Sequence, residues 1–176
     1  MDYTENSLRA SIRALETVIA PAVAAAGDAQ AQDQLGLVID ALRFLQTRLA
    51  DLPTRAGFTL RTTLSLATQV HALAESAAPT AAGVLDAALA EAQSVHDRLG
   101  FDTAEVDAAT AALAEGIRDA MSILAEVDDP AVQSSLAAAV LTSETRRIEA
   151  DRAWFVPMGF DPHPESIVDL KTALSA

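Results

Sequence analysis

Glycine and alanine together divide this chain into helices. Alanine supplies 39 of the 176 residues, and only seven are glycine. Alanine is the best helix former and glycine one of the poorest, so glycines that punctuate such a chain indicate a series of long helices. Five of the seven glycines lie at or near breaks in helical apolar spacing: Gly27, Gly57, Gly83, Gly100 and Gly159.

The apolar spacing predicts six long helices and a short seventh. Their predicted bounds are Thr4 or Asn6 to Ala26, Asp28 to Leu52, Phe58 to Ala78, Pro79 to Leu99, Asp102 to Asp128, Pro130 to Asp151 or Arg152, and Pro164 to Leu174. Short connections favour antiparallel neighbours. We therefore predict an all-α fold, an antiparallel up-and-down helical bundle in which residues 1–176 form a single domain.

The first two helices carry apolar stripes that predict a buried face. The first stripe is Leu8, Ile12, Leu15, Ile19, Ala22 and Ala26, and the second, the clearest in the chain, is Leu35, Val38, Leu42, Leu45, Leu49 and Leu52. Pro21 predicts a kink or an early end in the first helix.

Single residues mark other features of these helices. Asp102 with Glu105 resembles a capping box, and Asp129 is placed to cap a helix that starts at Pro130. Gly36 and Gly116, inside predicted helices, indicate close approach of a neighbouring helix or, alternatively, room for a ligand.

Composition excludes several functional classes. A net charge of −13 and a pI near 4.4 disfavour binding to nucleic acid or to an anionic membrane. The longest uncharged apolar run, Thr17 to Gly27, is too short to cross a bilayer, and the acidic first residues do not resemble an export signal. We expect a cytoplasmic, bacterial protein. Without cysteine, the chain has no disulfide, no thiolate nucleophile and no cysteine-bound metal.

Charge is unevenly distributed along the chain. Between Asp86 and Asp129 eleven acidic residues stand against two arginines, whereas Arg43 to Arg61 holds four arginines and one aspartate. These two segments are expected to meet within one subunit, across a dimer, or not at all.

No catalytic motif is present. The chain lacks a phosphate-binding glycine loop and a nucleophile elbow, and neither His71 nor His96 belongs to the Glu-x-x-His motif of di-iron bundles. His71 with Glu75 has metal-ligand spacing, but histidines on a helix face explain the pattern as well. We expect no metal and no cofactor; the sequence leaves catalysis open and favours a non-enzymatic role.

The segment from Arg146 to His163 is the candidate contact site. Its arginines either form helical ion pairs, Arg147 with Glu144 and Arg152 with Glu149, or hold an anion beside Trp154 and His163. The aromatic residues either plug one end of the bundle or form a binding patch. The candidate ligand or partner contacts are Arg147, Arg152, Trp154, Phe155, Phe160 and His163.

Three functional hypotheses remain. The leading one is a non-catalytic interaction protein that self-associates into a homo-oligomer or binds a protein partner through a helix face. The second is a small-molecule-binding bundle or enzyme with a pocket near Arg146–His163. The third is a fragment of a larger helical assembly, which predicts a chain that folds poorly by itself.

Overall fold

The computed structural model describes residues 3–98 and 102–175, and every regular element in them is helical. The elements are α1 (Tyr3–Ala14), a π-helical turn (Leu15–Ile19), α2 (Ala20–Ala26), α3 (Ala29–Arg48), a 3-10 turn (Leu49–Asp51), α4 (Leu52–Ala77), α5 (Pro79–Asp97), α6 (Thr103–Leu124), α7 (Pro130–Phe155), 3-10 turns at Val156–Met158 and Pro164–Ser166, and α8 (Leu170–Ser175). Because α1 and α2 run on through the π-helical turn, the predicted all-α fold of six long helices and a short C-terminal one is confirmed.

The chain divides into two compact units. The hairpin unit comprises the chain up to Leu52 together with Trp154–Pro164, and the main unit comprises Pro53–Ala153 and the chain from Glu165. The prediction of a single domain, like that of up-and-down alternation through all the helices, stays a prediction. In the described part of the chain, no helix is both long enough and apolar enough to cross a membrane.

Several predicted helix ends are confirmed by their capping geometry. Gly27 ends α2 in the left-handed conformation at φ 72°, which costs glycine little because it has no Cβ. Asp28 then accepts from the backbone N–H of Ala31 at 3.0 Å and starts α3. Asp102 and Asp129 cap α6 and α7 by accepting from the N–H two residues ahead, at 2.9 and 2.8 Å.

Other predicted boundaries are wrong. Gly57 does not mark a break but is buried inside α4, which begins at Leu52, because Pro53 fits the first turn of a helix, where its missing N–H has no partner to lose. Likewise α7 runs past Arg152 to Phe155, and the predicted final helix is only a 3-10 turn and α8. The predicted helix end at Leu99 and the break at Gly100 lie outside the described residues.

Pro21 neither ends the first helix nor stands at a break. It occupies the first turn of α2, directly after the π-helical turn Leu15–Ile19. Proline has no N–H to donate to the carbonyl oxygen one turn earlier in the helix. A π-helical turn is a known way to rearrange the backbone hydrogen bonds there. The predicted distortion is thus absorbed in the turn that precedes the proline.

Close packing of α5 and α6 organises the core of the main unit. The buried residues of the two helices are mostly alanine, leucine and valine, with Gly116 among them. A Cβ built on Gly116 would lie 3.2 Å from Cδ2 of Leu85 and 3.6 Å from the carbonyl oxygen of Val84. The close approach predicted at Gly116 is confirmed, whereas the same prediction for Gly36 is wrong, since nothing lies within 4 Å of its built Cβ.

The core of the hairpin unit is small. In α1, α2 and α3 only Ile12 and Ile39 are buried. The prediction that the second helix buries its whole stripe is wrong, because Val38, Leu45 and Leu52 are 49%, 50% and 43% exposed. Leu35, Leu42 and Leu49 are half-buried. The first helix, which contacts α3, covers only part of this stripe.

Gly116 and Gly36, which lie inside helices but differ in their surroundings, provide a stability test. Gly116→Val should lower the free energy of unfolding by about 1–3 kcal/mol, because its methyl groups must displace Leu85 and the α5 backbone. Gly36→Ala should raise it by about 0.5–1 kcal/mol, because alanine favours the helix and meets no neighbour. Urea unfolding followed by circular dichroism measures both. Equal effects of the two substitutions would contradict the close packing at Gly116.

Candidate functional site

An aromatic cluster joins α3 to the end of α7 within the hairpin unit. The Phe44 ring stacks on Phe155 with centroids 5.6 Å apart and meets Trp154 edge to face at 6.4 Å. Arg48 completes the cluster: its guanidinium lies 5.4 Å from the indole centroid, and its Nε donates to the carbonyl oxygen of Trp154 at 2.9 Å. An edge-to-face ring contact and a cation–π attraction therefore act on the indole, and a charge-assisted hydrogen bond holds the Trp154 backbone.

The aromatic segment divides into an anchor and an exposed end. Trp154 is buried, with 5% of its surface exposed, which agrees with the predicted plug. Phe155 is about half exposed although it stacks on Phe44. Phe160 is 79% exposed, in a short loop that begins at Gly159 with φ 72°. A plug and an exposed aromatic patch thus coexist in one segment.

A groove of about 420 Å³ lies between α3 and this loop. Its apolar lining is Leu37, Phe44, Pro157, Met158 and Phe160, and its polar lining is Asp40, Arg43 and Thr47. Arg43 is bound by Glu16 at 2.6 Å and by Asp40 at 3.4 Å. With its guanidinium held by two carboxylates, Arg43 offers this groove little net positive charge.

Val38 and Leu45, which we call the α3 stripe, form a second exposed apolar feature of the hairpin unit, and the exposed Leu52 follows them as the first residue of α4. At 3.6 residues per turn, Val38 and Leu45 lie about 140° and 160° around α3 from Arg43. Arg43 pairs with Glu16 and so marks one edge of the contact between α3 and the first helix. The stripe therefore lies along the other edge, at a seven-residue spacing.

Two candidate residues of the segment belong to the main unit. Arg147 donates from Nε to Glu144 at 3.1 Å and from Nη2 to the same carboxylate oxygen, which confirms this predicted ion pair. The hydrogen bond to Glu144 and the charge of that carboxylate raise the pKa of Arg147 above its ordinary value, so it stays fully charged. Arg152 donates to Oγ of Ser166 at 3.1 Å.

Arg147 lines a narrow slot of about 180 Å³ between α4, α6 and α7 in the main unit. The apolar side of the slot is Phe58, Leu66, Ala114 and Ile117, and the polar side is Thr59, Thr62, Thr63, Ser143, Glu144 and Arg147. An apolar floor beside several hydroxyl groups and one ion pair offers a small molecule both apolar contact and hydrogen-bonding partners, in a slot smaller than most ligand pockets. The sequence analysis did not identify the hydroxyl residues of this slot, because no motif or spacing links threonines of α4 to a serine of α7.

The arginines between Arg43 and Arg61 contact groups outside the acidic segment Asp86 to Asp129. Arg55 pairs with Asp151 at 2.8 Å, and Arg61 donates to the carbonyl oxygen of Leu174 at 2.6 Å. These contacts tie α4 to α7 and to α8 in the main unit.

His71 lies beside two carboxylates of the main unit. His71 lies 2.8 Å from Asp86 and 3.9 Å from Glu75, which confirms the proximity of His71 and Glu75 that their spacing predicts. Among the residues that the structure describes, no group of three or more histidine, aspartate or glutamate side chains is arranged to hold a metal ion.

The six candidate contact residues do not all fall in one unit. Trp154, Phe155, Phe160 and His163 lie in the hairpin unit, and Arg147 and Arg152 in the main unit. His163 is exposed and donates its backbone N–H to Asp161 at 2.9 Å, as a turn residue does. The sequence did not identify Phe44 and Arg48 as partners of Trp154, although their four-residue spacing puts them on one face of α3.

Comparison with known proteins returns no relative: no protein-family model, no curated protein and no solved structure matches the chain. The function of the site therefore has to be argued from its residues.

Substitutions of Trp154 and Phe160 by alanine are expected to change the free energy of unfolding by very different amounts. Trp154→Ala should lower the free energy of unfolding by about 3–5 kcal/mol, because it removes a buried indole and leaves a cavity beside Phe44. Phe160→Ala should change it by less than about 0.5 kcal/mol, because that ring is exposed. Urea unfolding monitored by circular dichroism separates the two. A large loss on Phe160→Ala would contradict the division into an anchor and an exposed end.

Proposed function

We propose that this is a non-catalytic helical protein that binds a protein partner through the α3 stripe of its hairpin unit. The observation that carries the proposal is the exposure of Val38 and Leu45 on α3, a helix whose apolar spacing would otherwise bury them. Isolated apolar residues on a surface are ordinary, but an aligned series at helical spacing is the pattern that a second helix recognises.

The surroundings of the stripe support this function. Ile19 of the π-helical turn is also exposed and adds apolar surface to the same unit, as Leu37, Met158 and Phe160 do at the groove. Exposed leucine and phenylalanine side chains provide apolar contact area in protein interfaces, and phenylalanine is enriched there.

A photo-crosslinking amino acid introduced at Leu45 tests the proposal in the protein's own host. We expect adducts with another polypeptide from position 45 but not from Thr47, which is exposed on the same helix about 160° away from Leu45. Gel shift and mass spectrometry identify the adducts. The absence of adducts at Leu45, or equal yields at both positions, would contradict binding through the stripe.

A second candidate function, small-molecule binding, is favoured by the slot beside Arg147 and Ser143. Native mass spectrometry of gently purified protein should then show a co-purifying small mass. Ala114→Leu, which narrows the slot, should reduce the bound fraction, while Ala112→Leu, at an exposed position two residues away on α6, should not. A bare polypeptide mass for the unaltered protein would contradict this candidate.

A further inference from the structure

We infer that a groove between α4 and α7 in the main unit binds a fatty acid, with the carboxylate at Arg147 and the hydrocarbon chain along the two helices. The inference rests on the second candidate function, because it names the chemical class of the ligand and extends the slot that would hold it. The slot beside Arg147 is one end of the groove. A second cavity, of about 410 Å³, lies between the same two helices.

The slot and the second cavity follow each other along one face of α4 and one face of α7. Gln69 of the second cavity lies three residues after Leu66 of the slot, and Ala139 lies four residues before Ser143 of the slot. Side chains at these spacings are neighbours on a helix surface. The full lining of the second cavity is Gln69, Val70, Ala72, Leu73 and Ser76 of α4 with Ser135, Leu136 and Ala139 of α7. The two cavities therefore form one groove, which extends about 18 Å along α7 from Arg147.

The charge of the groove lies at one end. Among the described residues that line the slot, only Glu144 and Arg147 are charged, and the described lining of the second cavity holds no charged side chain. Val70, Leu73 and Leu136 supply apolar surface to that second cavity. Ligand sites orient a molecule with a few polar groups and hold the rest of it by apolar contact. The groove thus matches a molecule with one polar end and a long apolar chain.

The slot provides hydrogen-bond donors at the polar end. Nε and Nη2 of Arg147 both donate to the same oxygen of Glu144, and Nη1 has no acceptor within the described part of the chain. Thr62 and Ser143 also line the slot, and their hydroxyl groups form no hydrogen bond with any described residue. A carboxylate accepts hydrogen bonds at both oxygens, so it can use a guanidinium and a hydroxyl together.

A ligand carboxylate does not have to displace Glu144 from Arg147. A guanidinium has five N–H donors and can bind two carboxylates at once. Arg43 of the hairpin unit shows this arrangement, since Glu16 lies at 2.6 Å and Asp40 at 3.4 Å. The Arg147 side chain is 56% exposed. A carboxylate bound there keeps contact with water while the hydrocarbon chain enters the groove.

The charges of α4 and α7 also favour an anion. Together these two helices carry five arginines against three glutamates and one aspartate, in a chain whose net charge is −13. The acidic residues are concentrated between Asp86 and Asp129, on α5, α6 and the connection to α7. That segment would attract a cationic ligand and repel an anionic one. Among ligands with an apolar chain, the groove is therefore suited to a carboxylate.

Titration calorimetry of the purified full-length protein with dodecanoate and hexanoate tests the inference. Dodecanoate should bind saturably at one site per chain and at least about tenfold more tightly than hexanoate, because each buried CH₂ raises the affinity by up to about fourfold. Dodecyltrimethylammonium has the same chain with a positive charge. It should lose no affinity when Arg147 is replaced by glutamine, because it does not bind the guanidinium.

Two pairs of substitutions separate the polar end from the chain. Arg147→Gln should weaken dodecanoate binding at least about tenfold, because it removes charge-assisted hydrogen bonds, while Arg146→Gln, exposed and outside the groove, should not. Ala72→Phe fills the second cavity about 15 Å along α4 from Thr62 and should weaken dodecanoate but not the shorter hexanoate. Ala137→Phe, exposed on α7 outside the lining, is its control. Circular dichroism checks that all four variants keep their helical content.

Three results would overturn the inference: no saturable binding of dodecanoate, equal affinities for the long and the short acid, or equal losses in Arg146→Gln and Arg147→Gln. The second candidate function is tested separately. A co-purifying mass that Ala114→Leu removes, without binding of dodecanoate, refutes the fatty acid and keeps small-molecule binding in the slot. A bare polypeptide mass without binding of dodecanoate refutes both.

Discussion

Close approach between helices with small side chains is the constraint on which this structure depends. The chain has few aromatic residues and much alanine, so its helices bury enough apolar surface only where their backbones come near each other. In the main unit α5 and α6 achieve this, since Gly116 admits the side chain of Leu85 and the carbonyl of Val84. Alanines at positions 81, 92, 109 and 120 continue the buried contact on both helices.

Burial of apolar side chains is less complete in the hairpin unit. Its helices bury Ile12 and Ile39 but leave Val38, Leu45 and Leu52 in contact with water. The chain compensates in part with aromatic residues, since three of its few rings, those of Phe44, Trp154 and Phe155, gather on one side of α3. Val38 and Leu45, elsewhere on α3, stay about half exposed. Structure and proposed function are linked there, because the surface left by incomplete packing is the one assigned to a partner.

Local signals in the sequence predicted local structure well. Asp28, Asp102 and Asp129 each cap a helix as their neighbours in the chain predict, and Gly27 ends one in the left-handed conformation. Glu144 and Arg147 pair because they are three residues apart on a helix. Where a predicted helix boundary was wrong, as at Pro53 and Gly57, the residue type suits both a helix and a break between helices. Proline suits a first turn as well as a break, and glycine suits a tight contact as well as a turn.

The sequence by itself determined the all-helical fold, most helix starts, the acidic charge and the absence of cysteine chemistry, because these depend on propensity and composition within a few residues. Only the tertiary structure decided which part of an apolar stripe is buried. Leu35 and Leu45 look alike in the sequence, yet one is half-buried and the other lies on the exposed edge of α3, since exposure depends on how many helices reach that side. The same reason separates Trp154 from Phe160 and Gly116 from Gly36. Each pair shares a residue class, and its members differ only in the neighbours that the fold supplies.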